Sequence, residues 1–141
     1  MYKAKRSEKL TDTLQLCDSS GTVVHSLNIE VDIDAISGGF RETLALLSKA
    51  EKRLKENQRK GNIAAFDKAY EDYGNLLVRM FNLTFGTENA KVIFDFYEGK
   101  YTEMAVELVP YIIDVMIPKV QESINRQKKR LQKSARRRWY R

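Results

Sequence analysis

At Asp32 the spacing of apolar residues switches from two to three and four, which divides the chain into a β part and an α part. Before the switch, Thr13-Leu-Gln-Leu-Cys17 alternates apolar with polar. Val23, Leu27, Ile29 and Val31 likewise fall at even spacing. Side chains on a strand point alternately to its two faces, so both runs read as half-buried strands. Asp18-Ser-Ser-Gly21 between them is turn chemistry, because Asp and Ser bond their own backbone and Gly accepts positive φ. The pattern predicts a β-hairpin.

After Asp32, Ile36, Phe40, Leu44, Leu47 and Leu54 form one apolar stripe opposite Arg41, Glu42, Lys49, Lys52, Arg53, Lys55 and Glu56. Asp34 is the expected cap of this helix. Gly38 and Gly39 each weaken its first turn by about 1 kcal/mol relative to Ala. Gly61 should end it and Asn62 should cap the next. The second helix carries Ile63, Phe66, Tyr70, Tyr73, Leu77, Met80 and Phe81 and ends near Phe85-Gly86. Thr87 is expected to cap a short third helix with Glu88 at its positive end, Ile93, Phe94 and Tyr97 on its face, and Gly99 as its stop. A last helical region from Tyr101 places Met104, Ala105, Leu108, Ile112, Val115 and Met116 inward. Proline lacks an amide donor and collides with the preceding turn, so a kink at Pro110 and a restart at Pro118 are expected. Past Ile124 only Leu131 continues the apolar spacing, and the final ten residues are expected to fray. The fold expected is α+β and mostly helical: an N-terminal β-hairpin followed by about four α-helices, the last kinked by prolines. Residues 1–11 read as a flexible N-terminal segment, 12–125 as one domain and 126–141 as a basic tail.

The net charge of +6 is unevenly distributed. Nine of the 25 basic residues lie in the tail (Arg126, Lys128, Lys129, Arg130, Lys133, Arg136, Arg137, Arg138 and Arg141), which has no acidic residue. The remaining 16 face 19 acidic residues, so the body carries about −3. With Trp139 and Tyr140 available to stack, such a tail suits nucleic-acid phosphates, and a solvated or partner-docking tail is equally compatible. The acidic body offers no accompanying basic groove. No apolar run is long enough to span a bilayer, and the charged N-terminus excludes a secretory signal. The single cysteine agrees with a reducing cytosol and excludes a thiolate zinc cage.

Catalytic groups are scarce. With a hairpin loop of two or four residues, Cys17 and the only histidine, His25, project from opposite faces and form no thiolate–imidazole dyad. Asp67, Glu71 and Asp72 lack a second ligand cluster, and Gly38-Gly39 lacks the Lys-Ser/Thr of a phosphate loop. The sequence therefore predicts no enzyme, no metal and no cofactor. The stripe of Phe66, Tyr70, Tyr73, Met80, Phe81, Phe94, Tyr97, Tyr101 and Met104 reads chiefly as core. Any part left uncovered would bind protein, since Met is adaptable and Tyr is both apolar and hydrogen-bonding.

Phe85-Gly-Thr-Glu-Asn-Ala90, Phe96-Tyr-Glu-Gly-Lys-Tyr101, Glu103-Met104 and the pair Pro110 and Pro118 resemble the tail assembly chaperones of long-tailed (siphophage-type) bacteriophages, over roughly residues 12 to 125. The resemblance implies a chaperone that coats the helical tape-measure protein, prevents its aggregation and helps recruit tail-tube protein, with self-association along the client. It implies the cytoplasm of an infected or lysogenic bacterial host and absence from the mature virion. Phe94, Tyr97, Tyr101, Met104 and Tyr111 are the expected contact region, with core burial as the competing explanation for each. Many such chaperones also exist in a longer, frameshifted form, and A-rich codons for Lys128-Lys129 would suit ribosomal slippage. Gene sequence lacking a slippery run and an overlapping frame would remove that idea. Two other classes stay open: a basic-tailed nucleic-acid-binding module and a small structural virion protein.

Overall fold

A computed structural model describes residues 1–6 and 9–139, with the side chains of 34–38 and 137–139 outside the described set. Strands β1 (Leu10–Cys17) and β2 (Val23–Val31) form the expected antiparallel hairpin. They are followed by α1 (Ile33–Lys60), α2 (Ile63–Phe85), α3 (Thr87–Phe96) and a long composite helix. That last helix comprises α4 (Tyr101–Tyr111), a π turn (Ile112–Met116) and α5 (Ile117–Trp139). The chain is thus mostly helical behind an N-terminal hairpin.

The turn forms as its residue types dictate. The Asp18 carboxylate accepts from the Ser20 amide at 3.0 Å, the Thr22 amide at 3.0 Å and the Ser20 hydroxyl at 2.6 Å. These bonds hold the carboxyl below its ordinary range, that of Ser20 most. The loop runs from Asp18 to Thr22, longer than expected, because Cys17 pairs with Val23 while Leu16 pairs with His25. Val24 is the bulged residue, and the bulge keeps His25 on the face of Leu16, opposite Cys17.

β1 starts at Leu10, earlier than the alternation at Thr13 suggested and inside the segment expected to be flexible. Asp12 concealed this start. It sits on the inner face between Leu10 and Leu14, opposite Ile29, where an apolar residue would be expected. Its carboxylate accepts a hydrogen bond from the Tyr111 hydroxyl and pairs with Lys119 Nζ at 3.4 Å, tying the hairpin to both halves of the composite helix. The Tyr111 bond is the largest cause holding the Asp12 carboxyl below its usual range. Partial burial opposes it, and the Thr13 amide and Lys119 reinforce it.

A depressed folded-state value means that this stabilisation is present above the unfolded carboxylate range, near pH 4, and is lost as pH falls through the lower folded value. Asp12→Asn should therefore lower stability at neutral pH by roughly 1–2 kcal/mol, with the deficit shrinking in acid. Urea denaturation of both proteins at neutral pH and at about pH 2 checks this, and a deficit independent of pH contradicts it.

Leu16, Leu27, Ile29 and Val31 of the hairpin pack on a core centred on Leu77, Met80, Phe81, Phe85, Ile93, Met104, Leu108, Ile112 and Met116. α1 and α2 pair along their length after the expected stop and cap: Gly61 has φ +68° and Asn62 accepts from the Ala65 amide at 3.2 Å. Ile63 does not join the apolar face of α2 as its spacing suggested. At 77% exposure it stands in the first turn, before the helix meets its neighbours.

Two helix starts differ from the sequence reading. α1 begins at Ile33, so Asp32 precedes it and Asp34, the expected cap, lies within its first turn. The side chains of Asp34 and Ile36 lie outside the described residues. Thr87 is likewise inside α3, and the cap position belongs to Gly86, which makes no side-chain cap bond. Gly86 has φ +83° and ψ 156°, a conformation essentially reserved for glycine, and that bend starts the helix one residue before Thr87 could cap it. Glu88 occupies the first turn as expected.

The composite helix runs on through both prolines, and the irregularity expected there is a π turn, with α5 starting at Ile117, next to the restart expected at Pro118. In the π turn between the prolines the Ile117 amide reaches back five residues to the Ile112 carbonyl. α5 then continues through Trp139, so residues 132–139 of the stretch expected to fray are helical, and 140–141 lie outside the described residues. Gln, Lys, Arg, Ala and Leu favour helix even where no core is left to cover, and these residues dominate its far end.

Candidate functional site

α1 and the composite helix both pack on α2, and between them runs an apolar seam that opens on either side of the π turn. The upper opening has a volume of about 510 Å³. Leu47 and Leu54 of α1 form one wall, Ala105, Val106, Val109 and Pro110 of α4 the other, and Phe66, Tyr70 and Tyr73 of α2 the floor. The lower opening, about 340 Å³, lies between Phe40 and Leu44 of α1 and Met116, Ile117, Val120 and Ile124, with Thr84 of α2 beneath.

The seam follows from the stripe on α1. Phe40, Leu47 and Ala50 are buried, whereas Leu44 and Leu54 remain half-buried because no residue of the opposite wall closes over them. Val106 is 65% exposed on the α4 rim. Polar side chains line the edges: Glu51 and Lys55, paired at 3.2 Å, with Gln58 above, and Arg41, Gln121 and Lys128 below. The two buried hydroxyls near the seam are satisfied within their own helices, Thr43 by the Gly39 carbonyl and Thr84 by the Met80 carbonyl, each at 2.8 Å. The floor therefore presents mainly the aromatic rings of Phe66, Tyr70 and Tyr73, and among the described residues no fully buried side-chain polar atom lacks a partner.

A benzene-sized cavity is about 150 Å³, so each opening takes on the order of two to three large side chains. An apolar groove with a polar rim between helices is the geometry that receives the apolar face of another helix.

The residues expected to form the contact region separate into different environments. Met104 is fully buried and belongs to the core. Phe94 is half-buried and stacks on Phe81 with ring centroids 5.8 Å apart. Tyr101 covers Gly74 and tilts against Tyr70 at 5.6 Å, at the edge of the seam floor. Tyr97 and Tyr111 line a separate polar cleft between β1 and α3–α4, together with Asp18, Glu98, Lys100, Glu103 and Glu107. Burial is the main cause raising the phenol of Tyr97, with Glu107 and Glu103 adding to it. Burial and Asp12 push Tyr111 far above its ordinary value.

Asn89, within the motif that carries the family resemblance, donates to the Asn28 carbonyl at 2.9 Å and the Phe85 carbonyl at 3.0 Å, fastening α3 to β2. Its role here is structural.

Of the basic tail, Arg126, Lys128, Lys129, Arg130, Lys133 and Arg136 are helical and exposed. The side chains of Arg137, Arg138 and Trp139, and all of Tyr140 and Arg141, lie outside the described residues. Among the described residues no helix is long and apolar enough to cross a membrane, and no cluster of three or more His, Cys, Asp or Glu residues is arranged to hold a metal.

Sequence reasoning named the apolar α1 and α2 residues of the seam but not Val106, Val109, Ile117 or Val120, and it missed the seam itself, because spacing assigns a face to each helix and not the gap between two helices. Exposed Val106 had no signal of its own. No protein-family model matches the chain, and neither a curated protein nor a solved structure does.

Proposed function

We propose that this chain is a tail assembly chaperone of a long-tailed bacteriophage, and that the apolar seam between α1 and the composite helix receives apolar side chains of the tape-measure protein. The open seam is the observation that carries the reading. It leaves Leu44, Leu54, Val106, Phe66 and Tyr70 at least partly accessible along one groove. The sequence motifs support the same class.

A long helix with an apolar face aggregates until the tail tube encloses it. Covering that face contributes roughly 25 cal/mol per Å² of apolar surface before ordering costs are subtracted. One seam covers a short stretch, so many copies act along one client, and association between neighbours raises the effective concentration of each. Tail-tube protein then displaces the copies as it polymerises. The reading places the chain in the host cytoplasm and outside the finished particle, without catalysis or cofactor.

The test is co-expression with the long, helix-rich tape-measure candidate, comparing the natural chain with Val106→Glu. Val106 is 65% exposed, so the substitution should change stability by no more than about 0.5 kcal/mol. A carboxylate facing an apolar client should weaken association by about tenfold or more, equivalent to ~1.4 kcal/mol, and send the client to the insoluble fraction. Equal client solubility with Val106→Glu contradicts the seam as the contact. Failure of the natural chain to copurify with the client contradicts the function.

A further inference from the structure

The far end of α5 is a free-standing cationic helix. Every residue from Asn125 to Arg136 is exposed, including Leu131 at 72%, and beyond Lys128, which edges the lower opening of the seam, the helix continues into solvent. Arg126, Lys129, Arg130, Lys133 and Arg136 recur at intervals of three, one, three and three, which at 3.6 residues per turn gathers all five on one side. No carboxylate interrupts them, and among the described residues none of the five has an ion-pair partner. The body behind them is net acidic, so the cationic field is confined to this one projecting rod.

We propose that this helix binds the phosphodiester backbone of nucleic acid without reading its sequence, as an activity separate from client binding in the seam. The stripe from Arg126 to Arg136 spans about 15 Å at 1.5 Å per residue, which faces roughly four phosphates of each strand at 3.4 Å per step. An α-helix about 10–12 Å across also fits a DNA major groove about 12 Å wide, and helices projecting from a body reach such a groove without a supporting basic surface. Regularly spaced positive charge with few other contact groups matches a polymer of regularly spaced negative charge. The other side of the rod offers only Leu131 and Ala135 as apolar groups over this stretch, too little to enter a lipid surface.

Fluorescence anisotropy of the full chain with a labelled duplex of about 20 base pairs, and with single-stranded RNA of similar length, tests the assignment across a salt series. Five phosphate contacts predict a slope of log affinity against log salt near −4.5 for the duplex and near −3.5 for the single strand, or about a 500-fold loss for the duplex between roughly 50 and 200 mM salt. Lys129→Gln, Arg130→Gln and Lys133→Gln together retain helix formers and should bring the duplex slope to about −2. Lys129→Arg with Lys133→Arg should keep the full slope, and client solubilisation should be unchanged in both variants. No binding of either nucleic acid at about 10 µM protein in low salt would overturn the proposal, as would an unchanged slope in the triple Gln variant. Equal displacement by polyglutamate at matched charge would overturn it too, assigning the rod to an acidic protein partner.

Discussion

Phe81→Ala should lower the stability of the folded chain by about 3–5 kcal/mol, the largest effect expected from any single truncation here. Phe81 is completely buried, meets Phe85 edge-on with ring centroids 5.4 Å apart and stacks on Phe94 at 5.8 Å. It therefore joins α2 to α3 at the centre of the core. Removing the ring forfeits its transfer free energy and leaves a cavity, because the flanking aromatic rings are held by their own neighbours and collapse only in part. Domains of this size have only about 5–15 kcal/mol in total, so the variant approaches the threshold for folding. A fall in melting temperature on the order of 10–15 °C is expected. Ile63→Ala provides the contrast: Ile63 is 77% exposed, and its loss should change stability by no more than about 0.5 kcal/mol. A Phe81→Ala deficit below about 1 kcal/mol, measured by urea denaturation, would contradict this core.

Gly74→Ala is expected to destabilise although it places a better helix former inside a helix. An ideal Cβ at Gly74 would lie 2.2 Å from Cε2 of Tyr101, with Cδ2 at 2.5 Å and Cζ at 2.7 Å. The methyl and the ring cannot occupy that space together. Helix propensity favours Ala by about 1 kcal/mol, and overpacking of this kind costs about 1–3 kcal/mol or more. The balance depends on whether the Tyr101 ring can swing away. It rests on Tyr70, so displacement sacrifices that contact and opens the floor of the seam. We expect a net loss of roughly 1–2 kcal/mol, and Tyr101→Ala in the same chain should make Gly74→Ala neutral or stabilising. Additive effects of the two substitutions in a double-mutant cycle would show that the ring does not rely on Gly74.

Much of the fold was legible because its signals were local. Even spacing marked β2, Asp18 and Gly21 marked the turn, and Gly61-Asn62 marked the stop and start between α1 and α2. Reading failed where a distant partner decided the outcome. Asp12 breaks the alternation of β1, and its distant partners Tyr111, 99 residues away, and Lys119 explain a carboxylate on the inner face. Ile63 matches the spacing of its helix, yet no element lies over it. The prolines announced an irregularity without saying that a π turn would absorb it. The end of α5 lost its apolar spacing but retained residues that favour helix. Of the expected contact residues, Met104 is fully buried in the core and Phe94 half-buried against Phe81, because an apolar stripe on a helix serves core and interface alike. The seam depends on how far apart α1 and the composite helix stand, which no sequence period encodes.

Hydrogen–deuterium exchange of the chain with and without a soluble helical segment of the tape-measure protein tests the central claim most directly. Docking in the seam predicts added amide protection in the second half of α1 and in α4 around Val106, with the hairpin unchanged. Protection confined to the hairpin or to the basic end of α5, with none along the seam, would contradict it.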